Sequence, residues 1–409
     1  MQTDKTSPAF AVAPAALALS NPSAADFASA DLDILKAQAR DIRDTQWGHV
    51  VTYSRKVFAP LTNMCRDTCS YCTFVKHPDD PAANIMSPEQ VLAIAKKGEA
   101  QGCKELLFSL GEKPELRYDK AKAALAMIGY QRMTDYLADM CALVLKETSL
   151  LPHVNAGTLA DDEIEILRPV AASMGMMLET VSRRLTQKGG PHYACPDKTP
   201  VQRLRTLERA GQRKVPFTTG LLIGIGETFA ERVEALHAIN ECHSRHGHIQ
   251  EVIIQNFQRK PDIVMANAPE PSLDDMMRTI AVARIILAPE ISIQAPPNLS
   301  ARHLAYLDAG INDWGGISPV TIDFINPQHE WPEIANLANS CRLAGYELQE
   351  RLTIYPRYLR DGEAFVSPQL QARINNMAGS NGLARNQHLL AGSQERTIEQ
   401  NFGSGGCHS

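Results

Sequence analysis

An α/β barrel of parallel strands is the fold class that this 409-residue sequence predicts, on three observations. Strand-like and helix-like stretches alternate six times between residues 56 and 255 and twice more by residue 314, the order that crossover helices impose on a parallel sheet. A cysteine-rich loop follows the first of these strands, and glycines or carboxylates end several others, which is where such barrels carry their chemistry. The length suits one large barrel as well as it suits two or three smaller domains.

Residues 1–30, rich in Ala, Pro and Ser, read as a mobile leader, and 31–360 as the barrel with flanking helices. A helix is expected over 31–44, then 50–53 leading into the first buried strand, 56–61. Ser87-Pro88-Glu89 caps and opens a helix to about residue 101, before a second strand at 105–110. One long helix is expected over 119–146, a third strand at 150–155, a helix from Asp161, and a fourth strand over 175–180. Thr199-Pro200 opens a helix to 212; 216–224 is the fifth strand, 227–246 helical, and 249–255 the sixth strand. Strands at 291–294 and 310–314, separated by a short helix over 302–308, would extend six units towards the eight of a TIM-type barrel. A last helix is expected over 332–351. Residues 361–409 form a polar extension in which Gly, Ser, Asn and Gln come to dominate.

Composition narrows the function. Lys and Arg number 41 against 46 Asp and Glu, a net charge of -5, which argues against nucleic-acid binding and for small-molecule chemistry. Of nine cysteines, three are clustered, while Cys103, Cys141, Cys195, Cys242, Cys341 and Cys407 stand singly, so no disulfide framework is indicated and a reducing cytoplasm fits. The apolar run 9–20 is broken by Pro14 and lacks the basic flank of a secretory or mitochondrial signal; no stretch reaches the 18 apolar residues of a membrane span.

The chemistry centres on Cys65-Arg66-Asp67-Thr68-Cys69-Ser70-Tyr71-Cys72. Thiolates at C-x3-C-x2-C spacing can hold three irons of a [4Fe-4S] cluster, and the absence of a fourth nearby cysteine leaves one iron open to a small molecule. A zinc knuckle and a non-catalytic iron-sulfur carrier are the competing readings, and both usually want four protein ligands. Polar strand ends supply what a zwitterionic nucleoside needs. Gly111 allows close backbone approach and Glu112 can pair with an ammonium. Glu179 can accept from a ribose diol. Gly220, Gly224 and Glu227 sit in a glycine-rich turn that offers flat backbone to an adenine or a carboxylate.

This set, with Tyr71 just before the third cysteine, resembles the signature of the radical S-adenosylmethionine (SAM) superfamily. The resemblance implies a [4Fe-4S] cluster on Cys65, Cys69 and Cys72 as the catalytic and metal-binding centre. It implies SAM contacts at Tyr71, Gly111, Glu112, Glu179, Gly220, Gly224 and Glu227. Further stretches, among them Phe108-Ser109-Leu110-Gly111-Glu112-Lys113-Pro114-Glu115, His192-Tyr193 with Pro196-Asp197-Lys198, Pro216-Phe217-Thr218-Thr219-Gly220 and Pro296-Pro297-Asn298-Leu299-Ser300, resemble the ring-closing 7,8-didemethyl-8-hydroxy-5-deazariboflavin (FO) synthases. That resemblance spans about residues 50–330. It implies conversion of an adduct of tyrosine and 5-amino-6-(ribitylamino)uracil to FO, with loss of ammonia, by way of a 5'-deoxyadenosyl radical. A companion radical enzyme supplies the adduct, reduced ferredoxin or flavodoxin supplies electrons, and no nucleic acid or membrane takes part. The tyrosine-uracil joining enzyme and the futalosine-pathway menaquinone enzymes are the related alternatives. Substrate contacts are expected from His192, Thr218, Thr219, Gln255, Asn256 and Asn298.

Overall fold

The computed structural model describes residues 22–360 and 364–385. Two helices come first: α1 (Ala24–Ser29), capped by Ser23, and α2 (Leu32–Trp47), capped by Asp31. The barrel follows as β1 (Val50–Pro60), α3 (Pro88–Ala100), β2 (Glu105–Ser109), α4 (Asp119–Met127), α5 (Met133–Glu147), β3 (Leu151–Asn155), α6 (Asp161–Leu167), β4 (Ser173–Gly175), α7 (Pro200–Gln212), β5 (Phe217–Ile223), α8 (Phe229–His246), β6 (Ile249–Asn256), α9 (Leu273–Ile286), β7 (Ser292–Gln294), α10 (Ala305–Asp308) and β8 (Asp313–Ile317). Beyond it lie α11 (Ile334–Leu343), β9 (Glu347–Glu350), α12 (Pro356–Arg360) and α13 (Pro368–Met377).

All the strand pairings are parallel, and β1 to β8 close on themselves because β1 pairs with both β2 and β8. The α/β barrel is therefore as expected, with eight staves. β1 is longer than its neighbours and carries one more partner. Its C-terminal half pairs with β2 from Lys56↔Glu105 to Pro60↔Ser109, and its N-terminal half pairs with β9 from Val50↔Glu347 to Tyr53↔Glu350. The carbonyls of Tyr53 and Arg55 accept from Arg351 and Lys104, so β9 and β2 occupy the same edge in succession. The chain leaving β9 then crosses beneath the barrel, where Leu352, Ile354, Tyr355, Tyr358, Leu370 and Ile374 form a small core of their own.

Local signals explain the elements that fell where they were expected. In α3, Ser87 and Gln90 exchange the two bonds of a capping box with Pro88 at the first turn; in α8, Thr228 and Glu231 do the same and Gly247 ends the helix at φ 67°. Four expectations change. The single helix over 119–146 is two, because the chain turns at Gly129 with φ 91°. The helix over 332–351 stops at residue 343, and Gly345 at φ 87° redirects the chain into β9. The fourth strand is Ser173–Gly175, so Glu179 lies beyond its end. The eighth strand is displaced to Asp313–Ile317.

Of the residues assigned above to a leader, 1–21 lie outside the described residues, while 24–29 are helical with Phe27 buried and Arg278 donating to the carbonyls of Phe27 and Ala30. In the polar extension, α13 is tied to the barrel by Arg373, which donates to the carbonyls of Thr148 and Leu150; residues 361–363 and 386–409, Cys407 among them, lie outside the description. No helix among the described residues is long and apolar enough to cross a membrane.

Candidate active site at the mouth of the barrel

β1 delivers the chain to the mouth, where residues 62–75 fold over the strand ends. Backbone N–H groups of this region point at the thiols: Cys65 Sγ accepts from Asp67 N at 3.3 Å and Glu112 N at 3.1 Å. Burial pushes the Cys65 thiol up to about 12 and raises that of Cys72 as well. Cys69 is held below its ordinary value, chiefly because Cys195 donates to it across 3.9 Å, with Lys198 adding to the effect. Cys65, Cys69 and Cys72 open onto a single cavity of about 1210 Å³ including its mouth. Cys195 lies behind Cys69 and does not line it. Three thiols and an open side form a donor set that fits a cluster with one vacant iron, whereas a structural zinc site would want a fourth ligand. In the sequence Cys195 is one of the scattered cysteines, and only the fold brings it to Cys69.

Gly111 brings the Glu112 backbone against the cysteine loop, and Gly157 makes room for the Glu112 carboxylate. A Cβ on Gly111 would lie 2.0 Å from the Met64 carbonyl oxygen, and one on Gly157, at φ 71°, would lie 2.3 Å from Glu112 Oε2. The Glu112 carboxylate takes a hydrogen bond from Thr158 N at 2.6 Å and another from the Thr158 hydroxyl. Burial raises its pKa to about 7; Arg203 opposes the shift, while Asp197 and Asp67 add to it.

Across the cavity, Glu179 lies past the end of β4 in the left-handed region at φ 65°, bridged to Leu221 of β5, its amide donating to Gly220 O at 2.8 Å. Positive φ is uncommon for a non-glycine residue and is found at sites that the surroundings over-determine. Here they do. Its carboxylate receives Tyr71 OH at 2.6 Å and Lys198 Nζ at 2.6 Å, with His192 Nε2 at 3.1 Å. Burial alone would raise its pKa, but Lys198 and Arg203 outweigh that and hold it well below the usual carboxylate range. Lys198 and Arg203 also line the cavity, and the sequence reading gave neither a role.

A second cavity, about 1070 Å³, continues downward through the barrel lumen. The two adjoin, sharing Ser109, Asn155, Met176, Met177, Gln255, Ile325 and Asn326 between them. Its floor is a closed set of ion pairs and hydrogen bonds. Lys56 Nζ meets Glu105 at 2.7 Å; Arg351 meets Asp313 at 2.6 Å and Glu251 at 3.0 Å; Thr218 donates to Glu251 at 3.0 Å.

The expected site residues divide accordingly. Tyr71, Gly111, Glu112 and Glu179 join the three cysteines at the upper cavity, with Gln255 and Asn256 at its lower side; Thr218 lies deeper in the lumen. His192 belongs to the Glu179 cluster rather than the lumen. Gly220, Gly224 and Glu227 line neither cavity. A Cβ on Gly220 would meet Ile253 O at 2.2 Å, so this glycine serves the contact between β5 and β6; one on Gly224 would meet Pro271 at 2.5 Å. Glu227 accepts from the amides of Gly224 and Ile225 and pairs with Arg232, which fixes the turn before α8. Thr219, which accepts from Leu178 N, and Asn298 line neither cavity themselves, but Asn298 donates to Asp323, which lines the lumen.

Residues 59–239 match the family model described as the radical SAM superfamily. The 7,8-didemethyl-8-hydroxy-5-deazariboflavin synthase of Methanopyrus kandleri is 47% identical over 338 residues, a match covering 82% of this chain and 100% of that protein. The chain belongs to that synthase family. FO synthases of Streptomyces coelicolor and Mycobacterium leprae are each 47% identical, over 375 and 371 residues. This chain spans under half the length of those two relatives, 43% of each. Among solved structures, the FeFe-hydrogenase maturase HydG from Carboxydothermus hydrogenoformans superposes with a TM-score of 0.66 at 20% identity, covering 81% of this chain and 76% of that one. A methylornithine synthase superposes at 0.63 and 17% identity, covering 80% and 94%. At these identities the likeness speaks for the barrel fold alone, which synthase and maturase share.

Proposed function

We propose that this chain is the ring-closing enzyme of the deazaflavin synthase pair: a cytoplasmic, ammonia-releasing lyase that converts the adduct of tyrosine and 5-amino-6-(ribitylamino)uracil to FO. The observation that carries this reading is the kinship to the whole of the Methanopyrus kandleri synthase over 82% of this chain, together with a cysteine triad that opens onto one cavity. A [4Fe-4S] cluster held by Cys65, Cys69 and Cys72, with SAM on its open iron and an electron from reduced ferredoxin or flavodoxin, would supply a 5'-deoxyadenosyl radical. The rest falls to the protein. Glu112 receives the methionyl ammonium, and Glu179, held ionised, accepts from the ribose hydroxyls beside the Tyr71 ring. The lumen encloses the adduct away from bulk water, which a radical of that reactivity requires.

The elevated Glu112 pKa gives two slopes of opposite sign. In the SAM-free protein the folded state holds a proton that the unfolded chain releases near 4.5, so Glu112 favours folding below that pH, and its contribution is lost as pH rises through about 7. SAM binding runs the other way. The ammonium needs the carboxylate, so affinity falls by up to about tenfold per unit below pH 7. Equilibrium dialysis from pH 8 to 6 should show that fall in the native chain and a flat profile in Glu112→Gln; a flat native profile would remove Glu112 from the ammonium site.

One triad supplies one radical-generating site, and FO assembly from its precursors takes two steps. Tyrosine and the diaminouracil, incubated with this chain, SAM and reductant, should therefore yield no FO until the companion enzyme is added. FO fluorescence from that mixture without the companion would contradict the division of labour.

A further inference from the structure

The lumen beneath the SAM site carries polar groups that none of the foregoing uses. Ser109, Asn155, Gln255 and Gln294, from four different strands, line it with side chains that make no hydrogen bond to the described protein. The fold makes room for them. Gly315 sits at φ 72°, and a Cβ there would lie 2.0 Å from Gln294 Nε2; a Cβ on the adjacent Gly316 would lie 2.4 Å from Lys56 Cε. The glycine pair after Trp314 thus leaves Gln294 and Lys56 free to extend into the barrel. Three carboxamides and a hydroxyl offer donors and acceptors together with no charge. A carboxamide matches the imide edge of a uracil, accepting from its N–H while donating to the neighbouring carbonyl.

The floor below is charge-balanced. Lys56 is matched by Glu105 and Arg351 by Asp313, with Glu251 a third carboxylate whose pKa burial raises, and burial drops the pKa of His153 to about 3. Among the described residues, no cation there is free of a carboxylate partner. Such a floor suits hydroxyl groups, each of which can donate and accept. It offers a phosphate no uncompensated cation: the two that line it, Lys56 and Arg351, are already matched by the buried Glu105 and Asp313.

We infer that the lumen fixes substrate specificity for an uncharged ribityl-uracil: Gln294, Gln255 and Asn155 read the ring, and the Lys56–Glu105 floor takes the free polyol and excludes its phosphate ester. This rests on the proposed function, which places the reacting carbon upward at the SAM cavity and the ribityl chain downward. The product itself is the probe. FO and its ribityl 5'-phosphate ester are titrated against the full, reconstituted chain under anaerobiosis, with bound ligand read by equilibrium dialysis and FO fluorescence. FO should bind at least tenfold more tightly than the ester. Gln294→Leu should weaken FO by tenfold or more while SAM binding and iron content stay unchanged. Glu105→Gln, which leaves the Lys56 ammonium without its carboxylate, should narrow the gap between FO and ester by tenfold or more. Equal binding of FO and ester, or FO binding untouched by Gln294→Leu, overturns the inference while leaving the proposed function standing. FO that fails to bind the native chain at all overturns the proposed function instead.

Discussion

Replacing Cys65, Cys69 or Cys72 by alanine is expected to abolish the iron-sulfur absorption and all SAM cleavage, whichever of the three is changed. Each thiol opens onto the same cavity, and no other cysteine among the described residues lines it, so no substitute ligand is at hand. Cys195 is the nearest candidate at 3.9 Å from Cys69, but it sits behind that thiol. Cys103→Ala and Cys341→Ala serve as controls: both thiols are buried elsewhere, and iron content should match the native chain. Iron analysis and visible absorption after anaerobic reconstitution decide the matter, and a Cys69→Ala protein with normal activity would end the cluster assignment.

Glu179→Gln is the second large effect. The carboxylate gathers Tyr71, Lys198 and His192 around one point of the cavity wall, so neutralising it removes the proposed ribose acceptor and leaves the half-buried Lys198 ammonium without its carboxylate. Loss of a charge-assisted contact costs about 1.5 to 3 kcal/mol, and SAM affinity should fall roughly ten- to a hundredfold. Iron content separates this from unfolding, since none of the cluster cysteines contacts Glu179 by hydrogen bond. Native SAM affinity in a folded, iron-replete Glu179→Gln protein would place the ribose elsewhere.

Elements whose signals are local were legible in the sequence. The capping residues of α3, the Thr199-Pro200 start of α7 and the apolar runs of β5 and β6 sit within a residue or two of expectation. Elements decided by tertiary context were not. α9 gives no clear sequence signal because it is buried nearly all round, from Met276 and Met277 through Ile280 to Ala283, which erases the amphipathic period. β9 falls within the stretch expected as a helix over 332–351, because its pairing with Val50 to Tyr53 is remote in sequence. The site divides the same way. The cysteine triad, Tyr71, Glu112 and Glu179 could be named from spacing and strand position. Gly220, Gly224 and Glu227 could not be placed, since a glycine is the same letter whether it yields space to a ligand or to the Ile253 carbonyl. Lys198, Arg203, Gln294 and the Cys69–Cys195 contact join stretches far apart in the chain, and one sequence does not reveal such pairs.

The central claim is the reaction, and it is tested most directly by giving the anaerobically reconstituted chain its proposed substrate, the preformed tyrosine-diaminouracil adduct, together with SAM and a reductant. Fluorescence-detected chromatography should find FO, accompanied by ammonia, methionine and 5'-deoxyadenosine, with no second enzyme present. Cleavage of SAM to 5'-deoxyadenosine without any FO from the adduct would contradict the assignment and leave a radical enzyme of the same barrel acting on a different substrate.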